Sequence, residues 1–325
     1  MKHSSPVAAI APPSIGNFGP GLDVVGCAVA GSPDLVTAEW DAARVGVTVV
    51  EPGHPDLPTD PAEHASAIAA SAVLDVAASS GRGQFYPGGV VLRIRKGLPL
   101  AAGQGGSAAS AVAGAVAANA LIGGLLTESE LLACALKAES RVAGAHLDNI
   151  APSLLGGFVL VRSLDPIDVI RLPSPDELFI VLAQPHQQLR TAEARAVLPS
   201  QVPRDLAVHQ LAQVGAMVAA LYTNDLELLG RSIDDRIAEP ARAPLLPGFT
   251  AAKRAAVSAG ALGVSISGAG PTSFAIVPSL DVGRRVAKAM EDTYALSGVA
   301  TTVRVTRPGP GARVVDPDLP LVVEP

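Results

Sequence analysis

Between Lys96 and Glu128 the chain runs without a single charged side chain, a stretch long enough to cross a bilayer on length alone. Its make-up argues against a span. It opens with Pro99, holds Gly103, Gly105, Gly106, Gly123 and Gly124, and is otherwise mostly weakly apolar alanine. Such a segment reads as a glycine loop feeding a helix covered on all sides. The helix is expected from near Ser107 through Asn119 to Ile122, with Gly123-Gly124 as its stop.

A helix buried all round needs elements to bury it. The 325 residues are more than one core usually holds, so two domains are expected, over 1–163 and 164–325. Aromatic residues are only 3%, so the cores must be built from Ala, Val, Leu and Ile. β-Branched runs predict strands over 45–50 and 90–95, with a helix over about 61–79 between them. Thr127-Glu128-Ser129-Glu130 is a capping box that starts a third helix, running to about Val142. A strand over 158–161 is followed by prolines at 166, 173 and 175, the candidate boundary region. Beyond it, strands are expected over 178–183 and 272–277, with helices near 207–222, 250–259 and 281–294. The proline-rich tail from Arg307 reads as loosely packed apart from a short strand over 312–315. Mixed strands and helices make the class α/β or α+β.

A net charge of −6 with no basic cluster gives no electrostatic footprint for nucleic acid, so none is expected as a partner. Cys27 and Cys134 cannot make a disulfide framework and read as small buried hydrophobes in a reducing compartment. The apolar run over 7–10 stops at Pro12-Pro13, too short for a signal peptide. The expectation is a cytoplasmic protein without a membrane partner.

The glycine loop lets backbone N–H groups approach a ligand closely, and the helix after it aims its positive end at the same point. Both favour an anion such as phosphate; a tight turn that merely packs closely is the other reading. No lysine follows Gly106, so this is not a Walker A loop. Gly103-x-Gly105-x-x-Ala108 fits a relaxed dinucleotide fingerprint, but the acids about 20 residues on, Glu128 and Glu130, start a helix rather than end a strand. On that helix Glu139 follows Leu132 by seven and Ala135 by four, which puts a carboxylate on the apolar stripe. It needs a partner there: a magnesium ion shared with the Ser107 hydroxyl, an arginine, or a backbone group.

Three segments resemble the signature motifs of the GHMP small-molecule kinases: the loop over 99–109, Pro12-Pro13-Ser14-Ile15-Gly16-Asn17-Phe18-Gly19-Pro20-Gly21-Leu22-Asp23, and Ser267-Gly268-Ala269-Gly270-Pro271-Thr272. Glu139-Ser140-Arg141-Val142-Ala143-Gly144-Ala145-His146-Leu147-Asp148-Asn149, Thr191-Ala192-Glu193-Ala194-Arg195 and the segment over 238–249 resemble, within that superfamily, the homoserine kinases. The six matches are colinear.

The resemblance implies an α+β GHMP kinase fold. Its N-terminal domain would be ribosomal-protein-S5-like with a left-handed βαβ unit, and its C-terminal domain ferredoxin-like. It implies ATP-dependent phosphorylation of L-homoserine, in threonine biosynthesis. ATP would lie on Lys96, Pro99, Leu100, Ala101, Ala102, Gly103, Gln104, Gly105, Gly106, Ser107, Ala108, Ala109, Gly268 and Gly270. Magnesium (Mg2+) would sit on Ser107 and Glu139, and homoserine on Asn17, Asp23, His146, Asn149, Thr191, Arg195 and Arg242. The residue types suit a zwitterion: a carboxylate for the ammonium, and guanidinium forks for the carboxylate. No catalytic base is implied, since Asn149 stands where some relatives carry an aspartate. Asp148, read as the helical neighbour of Asn149, would aim elsewhere, about 100° away.

The chain departs from the family pattern. The usual Gly-Ser-Gly-Leu-Gly-Ser-Ser is here Ala101-Ala102-Gly103-Gln104-Gly105-Gly106-Ser107, Ala269 replaces a serine, and His64 stands near where many relatives have an asparagine. Two other readings stay open: a GHMP-family kinase for another small alcohol, and a catalytically silent binding protein. A homodimer is a further expectation from the family.

Overall fold

The computed structural model describes residues 5–82, 88–142 and 144–318. The chain opens with β1 (Val7–Ala11), β2 (Ser14–Ile15), β3 (Val25–Ala28), β4 (Asp34–Asp41) and β5 (Val47–Glu51). Then come α1 (Ala65–Ser79), β6 (Gly89–Arg95), α2 (Gly106–Leu121), α3 (Glu128–Val142), α4 (Ile150–Leu155) and the hairpin β7 (Phe158–Leu164) and β8 (Ile167–Leu172). The second half holds β9 (Phe179–Pro185), α5 (Thr191–Ala196), α6 (Arg204–Thr223), α7 (Leu226–Arg231), α8 (Ala238–Arg242) and α9 (Phe249–Ser258). It closes with β10 (Gly263–Ile266), β11 (Ser273–Val277), α10 (Leu280–Leu296), β12 (Thr301–Thr306) and β13 (Arg313–Val315).

Three sheets result. The first has the order β13-β1-β4-β6-β5, and its one parallel pair, β5 with β6, is joined through α1 as a βαβ unit. The second, β2-β3-β7-β8, is antiparallel throughout. The third has the order β10-β11-β9-β12. Numbered from β9, that is 2-3-1-4 in an all-antiparallel sheet, with α10 carrying the chain from β11 to β12. This is the ferredoxin-like arrangement expected of the second half. A division at 163/164 falls inside β7, whose hairpin partner β8 completes the second sheet, and β13 returns to the first. We therefore propose the division in the segment 173–177.

The uncharged stretch folds as a loop and α2, which is buried on nearly every face. Alanine makes this feasible because small side chains let helices approach closely. Ser66 of α1 donates its hydroxyl to Ser110 O (2.8 Å), and a Cβ on Gly114 would lie 2.4 Å from Ser66 O. The first core fills the space between the first sheet and α1, α2 and α3. The second joins both halves: Phe18 packs edge-on against Phe158 (centroids 5.0 Å) and tilted against Phe274 (4.5 Å).

The capping box forms as expected: Thr127 N donates to Glu130 Oε2 (2.8 Å) and Glu130 N to Thr127 Oγ1 (3.3 Å). Three local expectations are corrected. The strand expected from Val45 starts at Val47, because Val45 lies in the connection after β4 and is 93% exposed. The helix expected from Pro61 starts at Ala65, because the His64 ring accepts from Ser66 N and caps it. The described part of the tail, 307–318, is not loose: Pro308 bridges Val29, Pro310 bridges Gly156, and β13 pairs with β1, while 319–325 lie outside the described residues. Among the described helices only α6 is long and apolar enough to cross a membrane, by length and composition.

Candidate active site

A cavity of about 460 Å³ lies between the two halves, lined by the glycine loop, the turn before α4, and the segments carrying α5 and α8. A larger open groove of about 1060 Å³ beside α1 and α3 holds none of the site residues expected from sequence.

The loop is shaped by its glycines and clamped from outside. Gly103 and Gly105 have φ of +76° and +68°. A Cβ on Gly103 would lie 2.5 Å from Gly270 O, and one on Gly105 2.3 Å from Ser14 Oγ, so only glycine fits either place. The third motif grips the loop through side chains: Ser267 Oγ donates to Gly103 O (2.6 Å) and Thr272 Oγ1 to Ala102 O (2.6 Å). Gly105 gives α2 no side-chain cap, so the N–H groups of its first turn are left for a ligand at its positive end. Beneath the loop the buried Lys96 ammonium spends all three protons, on Asp34, Gly106 O (3.0 Å) and Ser110 Oγ (2.9 Å).

Ser107, in the first turn of α2, donates to Glu139 Oε1 on α3 (3.1 Å). Glu139 Oε2 is buried and has no hydrogen-bond partner. Desolvation, with repulsion from Asp148, pushes the Glu139 carboxyl up to about 7. An orphaned carboxylate oxygen beside a hydroxyl fits a hard cation that shares its shell with phosphate oxygens and water. Among the described residues no group of three or more His, Cys, Asp or Glu side chains could hold a metal by itself.

At the other end Asp23 meets Arg195 (Nη2 to Oδ1, 2.6 Å; Nη1 to Oδ2, 3.3 Å) and His146 Nδ1 (3.2 Å). Asn17 and Asp23 both hold left-handed backbone, φ +51° and +60°. Asn17 Oδ1 accepts from Asp23 N (2.8 Å), and Asn17 N donates to Asp148 Oδ2 (2.8 Å). Arg242 is 2% exposed, donating Nε to Ala194 O (3.2 Å) and Nη1 to Gly268 O (2.9 Å). Two backbone carbonyls thus aim its fork. Asn149 Oδ1 accepts from Ser14 Oγ (3.0 Å), and Thr191 lines the wall beside Arg195. Burial lowers the pKa of His146 and favours its neutral form.

Asn17, His146, Asn149, Thr191, Arg195 and Arg242 therefore share one cavity with Ser107, Glu139 and the loop residues 100–103, 105 and 106; Lys96, Gly268 and Gly270 also line it. Asp23 reaches it through Arg195 and His146. Four residues expected at the nucleotide do not line the wall. Pro99 is exposed, Ala108 and Ala109 are in the first core, and Gln104 turns into the domain junction. Asp148 is a correction in the opposite sense: it lines the cavity instead of aiming elsewhere. Residues 144–149 are not helical, so the 100° step between helical neighbours does not apply; α4 starts only at Ile150. Pro152 is the missed signal, since proline favours the first turn of a helix. Burial and nearby Asp23 push the Asp148 carboxyl up to about 6.

Family models described as the GHMP kinases N terminal domain and GHMP kinases C terminal match residues 65–157 and 217–296. A homoserine kinase of Chlorobium phaeobacteroides is 40% identical over 296 residues, 89% of this chain and 92% of that one. A homoserine kinase of Arabidopsis thaliana is 39% identical over 295 residues, 89% of this chain and 78% of that one. The crystal structure of homoserine kinase from Cytophaga hutchinsonii superposes with a TM-score of 0.89 at 37% identity, covering 97% of this chain and 99% of that one.

Proposed function

The chain belongs to the homoserine kinases of the GHMP kinase family, and from that premise we propose that its cavity transfers the terminal phosphoryl group of ATP to the side-chain hydroxyl of L-homoserine. The product is O-phospho-L-homoserine, an intermediate of threonine biosynthesis. One observation carries the site assignment: Arg195, paired with Asp23, and Arg242 open into the same cavity as Ser107, Glu139 and the start of α2.

Phosphoryl transfer needs positioning and charge neutralisation more than covalent help. The N–H groups at the start of α2 receive the phosphates of ATP, with the nucleoside toward the Leu57, Pro58 and His64 end of the cavity. Ser107 and Glu139 would hold magnesium, which would neutralise phosphate charge there. Asp23 takes the homoserine ammonium, and Arg195 and Arg242 take its carboxylate. His146, Asn149 and Thr191 supply hydrogen bonds that orient the chain of the substrate. Asn149 cannot accept the hydroxyl proton usefully, so no protein base is assigned and the proton leaves to phosphate or water. Asp148 holds the Asn17 backbone in place. We propose the cytoplasm as the compartment, consistent with Cys27 and Cys134 both being buried and unpaired.

The deciding assay measures ADP release with Mg-ATP and, separately, homoserine, mevalonate, shikimate and galactose. Homoserine alone should support turnover. Turnover confined to another acceptor would overturn the assignment, and nucleotide binding without turnover on any would favour a silent binding protein.

A further inference from the structure

Arg304 projects from β12 across the domain junction to residues of the first half. Its Nη2 donates to Gln104 Oε1 (2.9 Å) and its Nη1 to Ala30 O (2.7 Å). Both acceptors are neutral. Burial pushes this guanidinium down to about 10, and neither of its hydrogen-bond partners is a carboxylate. The guanidinium is half-buried, and a cation so placed with only neutral partners gives up solvation that they restore in part. What it bonds to is a residue of the glycine loop. Gln104 is 5% exposed, donates Nε2 to Gln184 Oε1 on β9 (2.7 Å), and accepts Ser14 N at its own backbone oxygen (3.1 Å). The family's usual loop has leucine here, whose side chain could neither receive a guanidinium nor reach Gln184 by a hydrogen bond.

We infer that Arg304, acting through Gln104, is a positioning residue for the glycine loop and keeps an uncompensated positive charge behind it for the polyphosphate of the phosphoryl donor. The inference rests on the nucleotide reading above. Two consequences follow from the charge. The contribution grows with the number of phosphates on the ligand, and it is specific to the nucleotide, because Arg304 touches none of the groups around Asp23.

The test measures equilibrium binding of ATP, ADP and adenosine, with magnesium, to the full chain and its variants, together with KM for homoserine. Arg304→Met should weaken ATP about tenfold, ADP less, and adenosine hardly at all. Arg304→Lys should recover most of the ATP affinity, and KM for homoserine should stay put. Because Arg304→Met strands a buried Gln104 oxygen, the double variant Arg304→Met with Gln104→Leu removes both partners and should keep the graded loss in a stable fold. Equal loss for all three ligands, or none, would overturn the inference. Failure of the unaltered protein to bind ATP would instead overturn the nucleotide reading, and this inference with it.

Discussion

Asp23 and Arg195, 172 positions apart, form a two-pronged ion pair across the domain junction, with Nη2 2.6 Å from Oδ1 and Nη1 3.3 Å from Oδ2. One comes from a left-handed turn in the first half, the other from the short helix α5 in the second. Under the function proposed above, a zwitterionic substrate would exchange this pairing for its own ammonium and carboxylate. Arg195→Met removes the fork and leaves Asp23 with His146 alone. We expect kcat/KM for homoserine to fall by about 10²-fold or more, with KM for ATP little changed. Steady-state kinetics varying each substrate in turn reads this; an equal rise in both KM values would contradict it.

Glu139 gives the ligand-free protein a pH dependence. The unfolded chain releases this proton near 4.5, whereas the folded protein keeps it up to about 7. The folded state therefore binds the extra proton between those values, and stability is full below the lower one and falls as pH rises through the upper one. The span corresponds to something on the order of 3 kcal/mol. Thermal melts without ligand should show a lower Tm at pH 8 than at pH 5. Glu139→Gln should flatten that slope, raise Tm at pH 8 and abolish magnesium-dependent turnover. A slope identical to that of the unaltered protein would count against this account.

Asp148 separates a hydrogen-bonding role from a charge. Its Oδ2 accepts Asn17 N, and burial beside Asp23 pushes its carboxyl up to about 6. Asp148→Ala leaves that N–H without an acceptor and should cost about 1–3 kcal/mol of stability. Asp148→Asn keeps an acceptor, sheds the charge, and should be at least as stable as the unaltered protein at pH 8. Neither change should alter the pH profile of turnover as loss of a base would. Paired melts and pH–rate profiles decide it; a selective collapse of kcat in a folded Asp148→Asn variant would make the group a proton acceptor.

The loop glycines divide into two kinds. Gly103 and Gly105 combine positive φ with backbone or side-chain atoms where a Cβ would go. Gly103→Ala and Gly105→Ala should each destabilise by about 2 kcal/mol or more and weaken nucleotide binding. Gly106 opens α2, and its Cβ would meet nothing closer than Pro99 O at 3.6 Å. Gly106→Ser, the residue common at this place in the family, should be tolerated with ATP affinity kept or improved. Denaturant melts and nucleotide titrations compare the three directly.

Local signals in the chain were enough for elements whose cause is local. The Thr127–Glu130 capping box, the glycine stop after α2 and the uncharged alanine-rich helix all act within a few residues, and each formed as read. Glu139 could be picked out because one carboxylate on an apolar stripe is a conflict visible in periodicity alone. The six motif segments likewise carried the fold and the cavity residues, since each motif is contiguous.

What no local pattern holds is who meets whom across the junction. Only folding brings Arg195 to Asp23, turns Gln104 away from the cavity and toward Arg304 and Gln184, and ties Arg242 to Ala194 and Gly268. Asp148 was misjudged because its direction depends on where α4 begins, and His64 became a helix cap because its ring folds back onto Ser66 N. Periodicity reports which face of an element is apolar. The partner of a buried charge is set instead by the packing of sheets and helices far apart in the chain, and that packing decided the chemistry of this cavity.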